Sequence, residues 1–273
     1  MNTRLRPAAV AGMFYPDSPE RLRREVAALL AGAPGEAEAC PKALVVPHAG
    51  YVYSGPIAAS GFACIAGRKG AIRRVALLGP THRVAVRGLA LPDCDAFSPP
   101  LGDVPIDREA ADALCGLPQI GVSGPAHALE HALEVELPFL QALLGEFSLL
   151  PLAVGDASPE AVAEALDRLW GGDETLIVVS SDLSHYLPYD DAREIDAETA
   201  RRIVGLGPAL DHGRACGATP VNGLLLAARR RGLRARMLDL RNSGDTAGDR
   251  KRVVGYGAFA FYEPPPGENV HVH

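Results

Sequence analysis

Ala43-Leu-Val-Val-Pro-His-Ala-Gly50 is a four-residue apolar run that stops at a proline and places a histidine directly behind it. Two further stretches repeat the arrangement. Val75-Ala-Leu-Leu78 runs into Gly79-Pro-Thr-His82, and Leu176-Ile-Val-Val179 runs into Ser180-Ser-Asp-Leu-Ser-His185. A short, continuously apolar run bounded by turn residues reads as a strand buried on both faces, since it has no solvent side that calls for polar residues. Residues 149–154 and 253–261 read the same way. Helical stretches alternate with these strands: residues 19–31, with Asp17 or Ser18 as cap and Gly32 as stop, then 108–114, 131–144, 159–170, 191–203 and 221–230. Pro138 is expected to kink or split the helix over 131–144. Such alternation predicts an α/β fold, a central mostly parallel sheet with helices on both faces.

The placement of the histidines is the chemical signal. Loops at the carboxyl ends of parallel strands converge on one crevice, which is where open α/β sheets bind ligands. The chain has eight histidines, two of them at 271 and 273, so three in equivalent positions after strands point to one shared metal or catalytic site. A neutral imidazole binds zinc, copper or iron, and its titration near neutrality suits proton transfer. Gly50 and Gly55, flanking Tyr51 and Tyr53, suggest either a sharp turn close to a ligand or plain turn chemistry.

A second cluster is His127-Ala-Leu-Glu130-His131-Ala-Leu-Glu134. On a helix His127 and His131 share a face, as do Glu130 and Glu134. The zinc-protease pattern His-Glu-x-x-His is absent. His131, at the expected start of a helix, can reach the crevice, whereas His127 reads as a structural or surface-paired residue.

Composition bounds the remaining classes. The chain has 273 residues, 48% hydrophobic and 22% charged, with glycine and proline dispersed rather than gathered into a low-complexity tract. No composition break marks a linker, so residues 1–262 are expected to be one domain, followed by a Pro-rich tail over 263–273. No apolar run approaches the roughly 20 residues that cross a bilayer, and residues 1–7 lack an apolar signal core, so a cytoplasmic protein without membrane contact is expected. Net charge is −6. The basic run 229–236 reads as a solvated helix end, not a nucleic-acid face. Cys40, Cys64, Cys94, Cys115 and Cys216 form no CxxC pair and read as reduced thiols.

Six stretches occur together and in order: VAGMFYP (10–16), PHAGYVYSG (47–55), LLGPTH (77–82), EHALEVELPFL (130–140), SSDLSHY (180–186) and NSGDTAGD (242–249). They resemble the Memo family, whose prokaryotic members are also called protein B of the AmmeMemoRadiSam system, over residues 7–261. The resemblance implies the fold of class III (LigB-type) extradiol dioxygenases, in which two histidines and a carboxylate hold Fe(II) and a further histidine is the acid/base. Carried onto this chain, His48 and His82 are the paired metal ligands, His185 is the acid/base and Asp182 lines the same pocket; with these two, His131, from its own place near the crevice, is a catalytic candidate. Animal members use a cysteine as third ligand. That position aligns near Thr246, where no cysteine stands, so Asp245 is the expected third ligand, unless it and Asn242 merely form a turn.

Three functions follow as expectations. The first is an oxidoreductase that uses Fe(II), or else copper or zinc, on a small molecule such as a vicinal diol. The second is a module that holds a metal or a peptide without turnover, since animal members are described largely as metal- and phosphopeptide-binding proteins. The third is metal-assisted hydrolysis. The prokaryotic family name further implies a radical-SAM pathway partner.

Overall fold

The apolar runs ahead of the three histidines form adjacent strands of one sheet. The computed structural model describes residues 3–34 and 39–264. In chain order its strands are β1 (Leu5–Pro7), β2 (Ala43–Val46), β3 (Arg74–Pro80), β4 (Leu89–Leu91), β5 (Ala96–Ser98), β6 (Val104–Pro105), β7 (Ile120–Val122), β8 (Ser148–Val154), β9 (Thr175–Ser180), β10 (His185–Leu187), β11 (Arg234–Asn242) and β12 (Val253–Tyr262). Its helices are α1 (Pro19–Ala31), α2 (Tyr51–Phe62), α3 (Arg108–Leu114), α4 (Gly124–Ala128), α5 (Leu137–Leu144), α6 (Pro159–Leu169), α7 (Tyr189–Val204) and α8 (Ala218–Arg231). Among the described residues, nine strands make the main sheet in the order β10-β12-β2-β9-β3-β8-β4-β7, with β11 also paired to β12, and β1, β5 and β6 form a small separate sheet.

The four central strands β2, β9, β3 and β8 are parallel. Their alternate residues enter two different cores, which is why the runs carry no polar positions. Ala43, Val45, Ala76, Leu78, Ile177 and Val179 pack with Leu114, Leu166 and Leu224 of α3, α6 and α8. Leu44, Val46, Val75, Leu77, Leu176 and Val178 pack with Val26, Phe62 and Leu140 of α1, α2 and α5. The α/β fold with helices on both faces therefore holds as expected. The flanks depart from a parallel arrangement, because β12 lies antiparallel to β2, β10 and β11 antiparallel to β12, and β4 antiparallel to β8. The strand expected over 253–261 is present, but it returns along β2 instead of crossing over.

Local differences from expectation have local causes. Residues 51–62 form a helix where a glycine turn was one reading. Gly55 lies inside that helix, where a Cβ would come within 2.9 Å of Leu29 Cδ1, so the missing side chain serves the contact between α1 and α2. The helix expected over 131–144 starts at Leu137, after a 3₁₀ turn at Glu134–Glu136. Pro138 sits in its first turn, where a missing N–H leaves no hydrogen bond unmade, so it opens the helix instead of kinking it. Strand β11 escaped detection because Arg234, Arg236, Asp239 and Arg241 interrupt its apolar positions. As expected, Ser18 caps α1; of the basic run 229–236, expected as a helix end, only residues 229–231 end α8, and residues 234–236 belong to β11. No helix among the described residues is long and apolar enough to cross a membrane. His271 and His273 lie outside the described residues.

Candidate metal centre

Because β2, β9 and β3 are neighbours, their carboxyl ends stand side by side and deliver His48, Asp182 and His82 to one place. The loop 129–133 brings His131 to the same point. Ring centroids lie 5.2 Å apart for His48 and His82, 5.3 Å for His48 and His131, and 4.6 Å for His82 and His131. One ring nitrogen from each of the three lies within 4.8 Å of the others.

The nitrogens left for a metal follow from the surrounding hydrogen bonds. His48 Nδ1 is 2.6 Å from Ser180 Oγ, which is itself 2.7 Å from the Ala132 carbonyl and 2.9 Å from Glu136 Oε1. The Ala132 carbonyl can only accept, so Ser180 gives it its one proton, its lone pair accepts from His48 Nδ1–H, and His48 Nε2 is left without a proton. His82 Nδ1 is 2.8 Å from Glu130 Oε1, and the His82 backbone N–H donates to Glu130 Oε2 at 2.6 Å. His131 Nδ1 is 3.4 Å from the same Oε1. Carboxylates and hydroxyls behind ligating imidazoles fix the tautomer and aim the ring, and this arrangement has both.

The electrostatics keep His48 and His131 neutral. Burial, with the neighbouring His82 second, pushes the His48 pKa down to about 3, and burial, with His48 second, pushes His131 down to about 4. Burial alone would raise Glu130, but the His82 ring, the His82 backbone N–H and the Ala132 N–H outweigh it and hold the carboxyl at about 2. A metal needs an unprotonated imidazole nitrogen, so these groups are ready to bind without first losing a proton. The donor set fits zinc, copper or iron. In the metal-free chain the His48 ring resonances are expected to stay in the neutral form between pH 7.5 and about 5, read by NMR titration. A midpoint near the free-histidine value of about 6.5 would contradict the burial argument.

The rest of the pocket holds proton-handling groups. A cavity of about 710 Å³ is lined by His48, His82, His131, Asp182 and His185, with Met13, Val52, Tyr53, Tyr186 and Arg252 also in its wall. Asp182 Oδ1 accepts from the His48 backbone N–H at 2.8 Å, and burial raises the Asp182 pKa against the lowering effect of His185 and that N–H. His185 Nδ1 is 2.8 Å from the Leu183 carbonyl, which can only accept, so Nδ1 carries a proton and Nε2 faces away from that bond. Tyr186 has a positive φ of 60° and is 62% exposed, with the Arg252 guanidinium 5.1 Å over its ring.

The structure thus brings His48, His82, His131, Asp182 and His185 to one cavity and leaves Asp245 out of the histidine group. Asp245 Oδ1 accepts from the Tyr189 hydroxyl, and its Oδ2 accepts from the Asn242 backbone N–H in a reciprocal capping box before β12. Of the two roles expected for Asp245, third metal ligand or turn former, its carboxylate here makes the turn contacts and stands outside the three-imidazole group. Thr246 donates to the Ser243 carbonyl at 3.2 Å. His131, expected as a pocket-lining catalytic residue, is the third member of the imidazole group. Its sequence neighbours were misplaced by assuming a continuous helix, because α4 ends at Ala128. His127 is 1% exposed and holds the Ala90 carbonyl at 2.8 Å, a structural role away from any surface.

Several residues of the site were not singled out by sequence reasoning. Glu130 was seen only as a helix-face acid, and Ser180 and Glu136 as parts of motifs. Glu134, 0% exposed, accepts from the Ala9 and Val10 backbone N–H groups and the Tyr15 hydroxyl and pairs with Arg6. Arg6 Nε in turn donates to the His127 carbonyl at 2.9 Å. This network straps the segment 9–15 over the histidine loop and leaves the Phe14 ring 4.9 Å from His131.

Fold and site together define an α/β protein with three imidazoles arranged so that they could hold a metal ion. The chain belongs to the Memo-like family, whose model, described as "Memo-like protein", matches residues 6–260. A MEMO1 family protein of Methanopyrus kandleri is 36% identical, over 94% of this chain and 98% of its own. A MEMO1 family protein of Aquifex aeolicus is also 36% identical, over 94% of this chain and 99% of its own. Among solved structures, an Escherichia coli K12 protein described as uncharacterized aligns with a TM-score of 0.53 at 12% identity, covering 79% of this chain and 98% of its own, a likeness of fold alone.

Proposed function

We propose that the chain is a metal-dependent oxidoreductase acting on a small molecule, with His48, His82 and His131 as metal ligands, His185 as acid/base and Asp182 as its companion in the pocket. The observation that carries this reading is a fourth imidazole, His185, in the same cavity as a three-imidazole group whose Nδ1 atoms are turned to second partners. Iron(II) is the first candidate, with copper or zinc next. A bound ion would supply Lewis acidity and, as iron, an electron for dioxygen chemistry.

The chain's own residues account for the rest. Three neutral ligands leave the ion's full charge in place, which favours an anionic ligand such as a deprotonated diol. His185, with Nδ1–H tied to the Leu183 carbonyl, keeps Nε2 free to take a proton from a bound hydroxyl. Asp182, anchored on the His48 N–H, would stabilise the imidazolium that results. The apolar side chains Met13, Val52 and Tyr53 would hold a ligand body and limit water.

The deciding experiment loads the chain anaerobically with Fe(II) and measures oxygen uptake against a panel of catechols and other diols. Uptake that depends on both metal and substrate, and that His185→Ala lowers by about 10²–10⁴-fold, is the expected result. A second reading, a binding module without turnover, has an observation of its own: Met13 is 71%, Val52 62% and Tyr186 62% exposed around the cavity, an open apolar rim. Tight metal binding with no uptake across the panel would favour that module.

A further inference from the structure

One sulfur atom stands closer to the centre than its sequence position suggests. Cys216 Sγ lies 3.3 Å from His48 Nε2, the nitrogen left unprotonated by the bond between His48 Nδ1 and Ser180. His48 is 1% exposed, and the thiol approaches it from the loop that precedes α8. We propose that Cys216 is a sulfur ligand of the metal centre, so that the site is a mixed nitrogen and sulfur one that holds thiophilic ions such as Cu(I) or Zn(II). This rests on the metal-binding reading above but changes its ligand set and ion: a thiolate adds one negative charge to the three neutral imidazoles, and the thiophilic ions displace Fe(II) as first candidate.

The spacing carries the argument. Ligands at about 2.0 Å (nitrogen) and about 2.3 Å (sulfur) from one tetrahedral ion lie about 3.5 Å from each other. The observed 3.3 Å agrees within the tolerance of roughly 0.2 Å expected of a metal site. Cys216 stands outside the group formed by His48, His82 and His131, so an ion held by the three imidazoles takes the sulfur as the Cys216 side chain swings toward it from its place beside His48, and the thiol proton leaves to solvent as the sulfur–metal bond forms.

The loop around Cys216 is built to hold it there. Gly217 N–H donates to Ser181 Oγ at 2.9 Å. A Cβ at Gly217 would meet Ser181 Cβ at 2.7 Å and the Ser180 carbonyl at 2.8 Å, so only glycine lets this loop press against the end of β9. The Cys216 backbone N–H donates to the Asp182 carbonyl, on the same segment that supplies Asp182 and Ser180 to the site. A second cavity, of about 340 Å³, is lined by Cys216, His82 and His212, which gives an ion or a displaced proton a route to the thiol separate from the main pocket. His82 lines both cavities.

The test uses Co(II) as a visible probe, added to the reduced full chain and to Cys216→Ser, Cys216→Ala and His48→Ala. The wild type should show a thiolate-to-cobalt charge-transfer band in the near ultraviolet together with visible d–d bands. Cys216→Ser should lose the first and keep the second, and its Cu(I) affinity by chelator competition should fall by about 10-fold or more. Circular dichroism on both cysteine variants checks that each remains folded. A charge-transfer band that survives in both cysteine variants overturns the proposal, since another thiol is then the ligand. So does a wild-type spectrum with d–d bands that His48→Ala abolishes but no charge-transfer band, which leaves the histidine centre standing. Absence of any cobalt spectrum from the wild type overturns this proposal and the metal-binding reading together.

Discussion

His131→Ala is expected to lower divalent-metal affinity by at least about 100-fold, as are His48→Ala and His82→Ala, whereas Asp245→Ala should leave it unchanged. Loss of a supporting partner behind a ligand typically costs 10- to 100-fold, and loss of the ligand itself costs no less. All three rings present one nitrogen to a common point, with Ser180 behind His48 and Glu130 behind His82. Asp245 spends its two oxygens on Tyr189 and the Asn242 N–H, so its removal is a capping loss of about 0.5–2 kcal/mol in stability. Glu130→Gln should fall between, because the amide still accepts from the His82 backbone N–H but no longer offers a carboxylate to its ring. Chelator competition and metal content, measured on each variant with near-ultraviolet circular dichroism as a folding check, decide the matter. Stoichiometric metal in the triple histidine variant, or its loss from Asp245→Ala, would mean that the ligands lie elsewhere.

The second large effect is on stability. Glu134→Ala should destabilise the chain by about 3–5 kcal/mol, because it strands a buried guanidinium. The side chains of Arg6 and Glu134 are 5% and 1% exposed, so solvent screens their pair little. The same substitution leaves the Ala9 and Val10 N–H groups and the Tyr15 hydroxyl without their carboxylate acceptor. For a domain of this size each kcal/mol shifts the midpoint by roughly 2–4 °C, so a fall of roughly 6–20 °C is expected by calorimetry. Glu134→Gln, which keeps an acceptor oxygen but not the charge, should lose less. The segment 9–15 covers His131 through Phe14, so the alanine variant should also bind metal more weakly than its folded fraction accounts for. A midpoint within about 2 °C of wild type would remove the network from any account of how the histidine loop is held.

Some of this was legible from residues alone because it depends on short-range pattern. A four-residue apolar run ended by Pro, Gly or Ser and followed within a few residues by His has few realisations other than a buried strand and its carboxyl-end loop. That was enough for residues 43–50, 75–82 and 176–185, and with them for the α/β class and the gathering of His48, His82, His185 and Asp182 at one sheet end. Short elements were illegible for the same reason: β4, β5 and β7, three residues each, are too short to carry a period, and their pairing is decided by partners far along the chain. The charged face of β11 concealed a nine-residue strand, and helix α2 was obscured by Gly55, which is there for Leu29.

Sequence by itself determined which strands bear imidazoles, since a side chain two residues past a strand end is placed by the strand. Only the tertiary structure decided which side chains stand beside His48 and His82. His131, Asp245 and Cys216 all sit in loops whose course is set by distant contacts: Glu134 against Arg6, Asp245 against Tyr189, and Gly217 against the end of β9. The separations along the chain are 128 residues for the first of these pairs and 56 for the second. No local periodicity encodes a contact at that range, because it exists only once the sheet has ordered and the loops have packed onto its carboxyl edge.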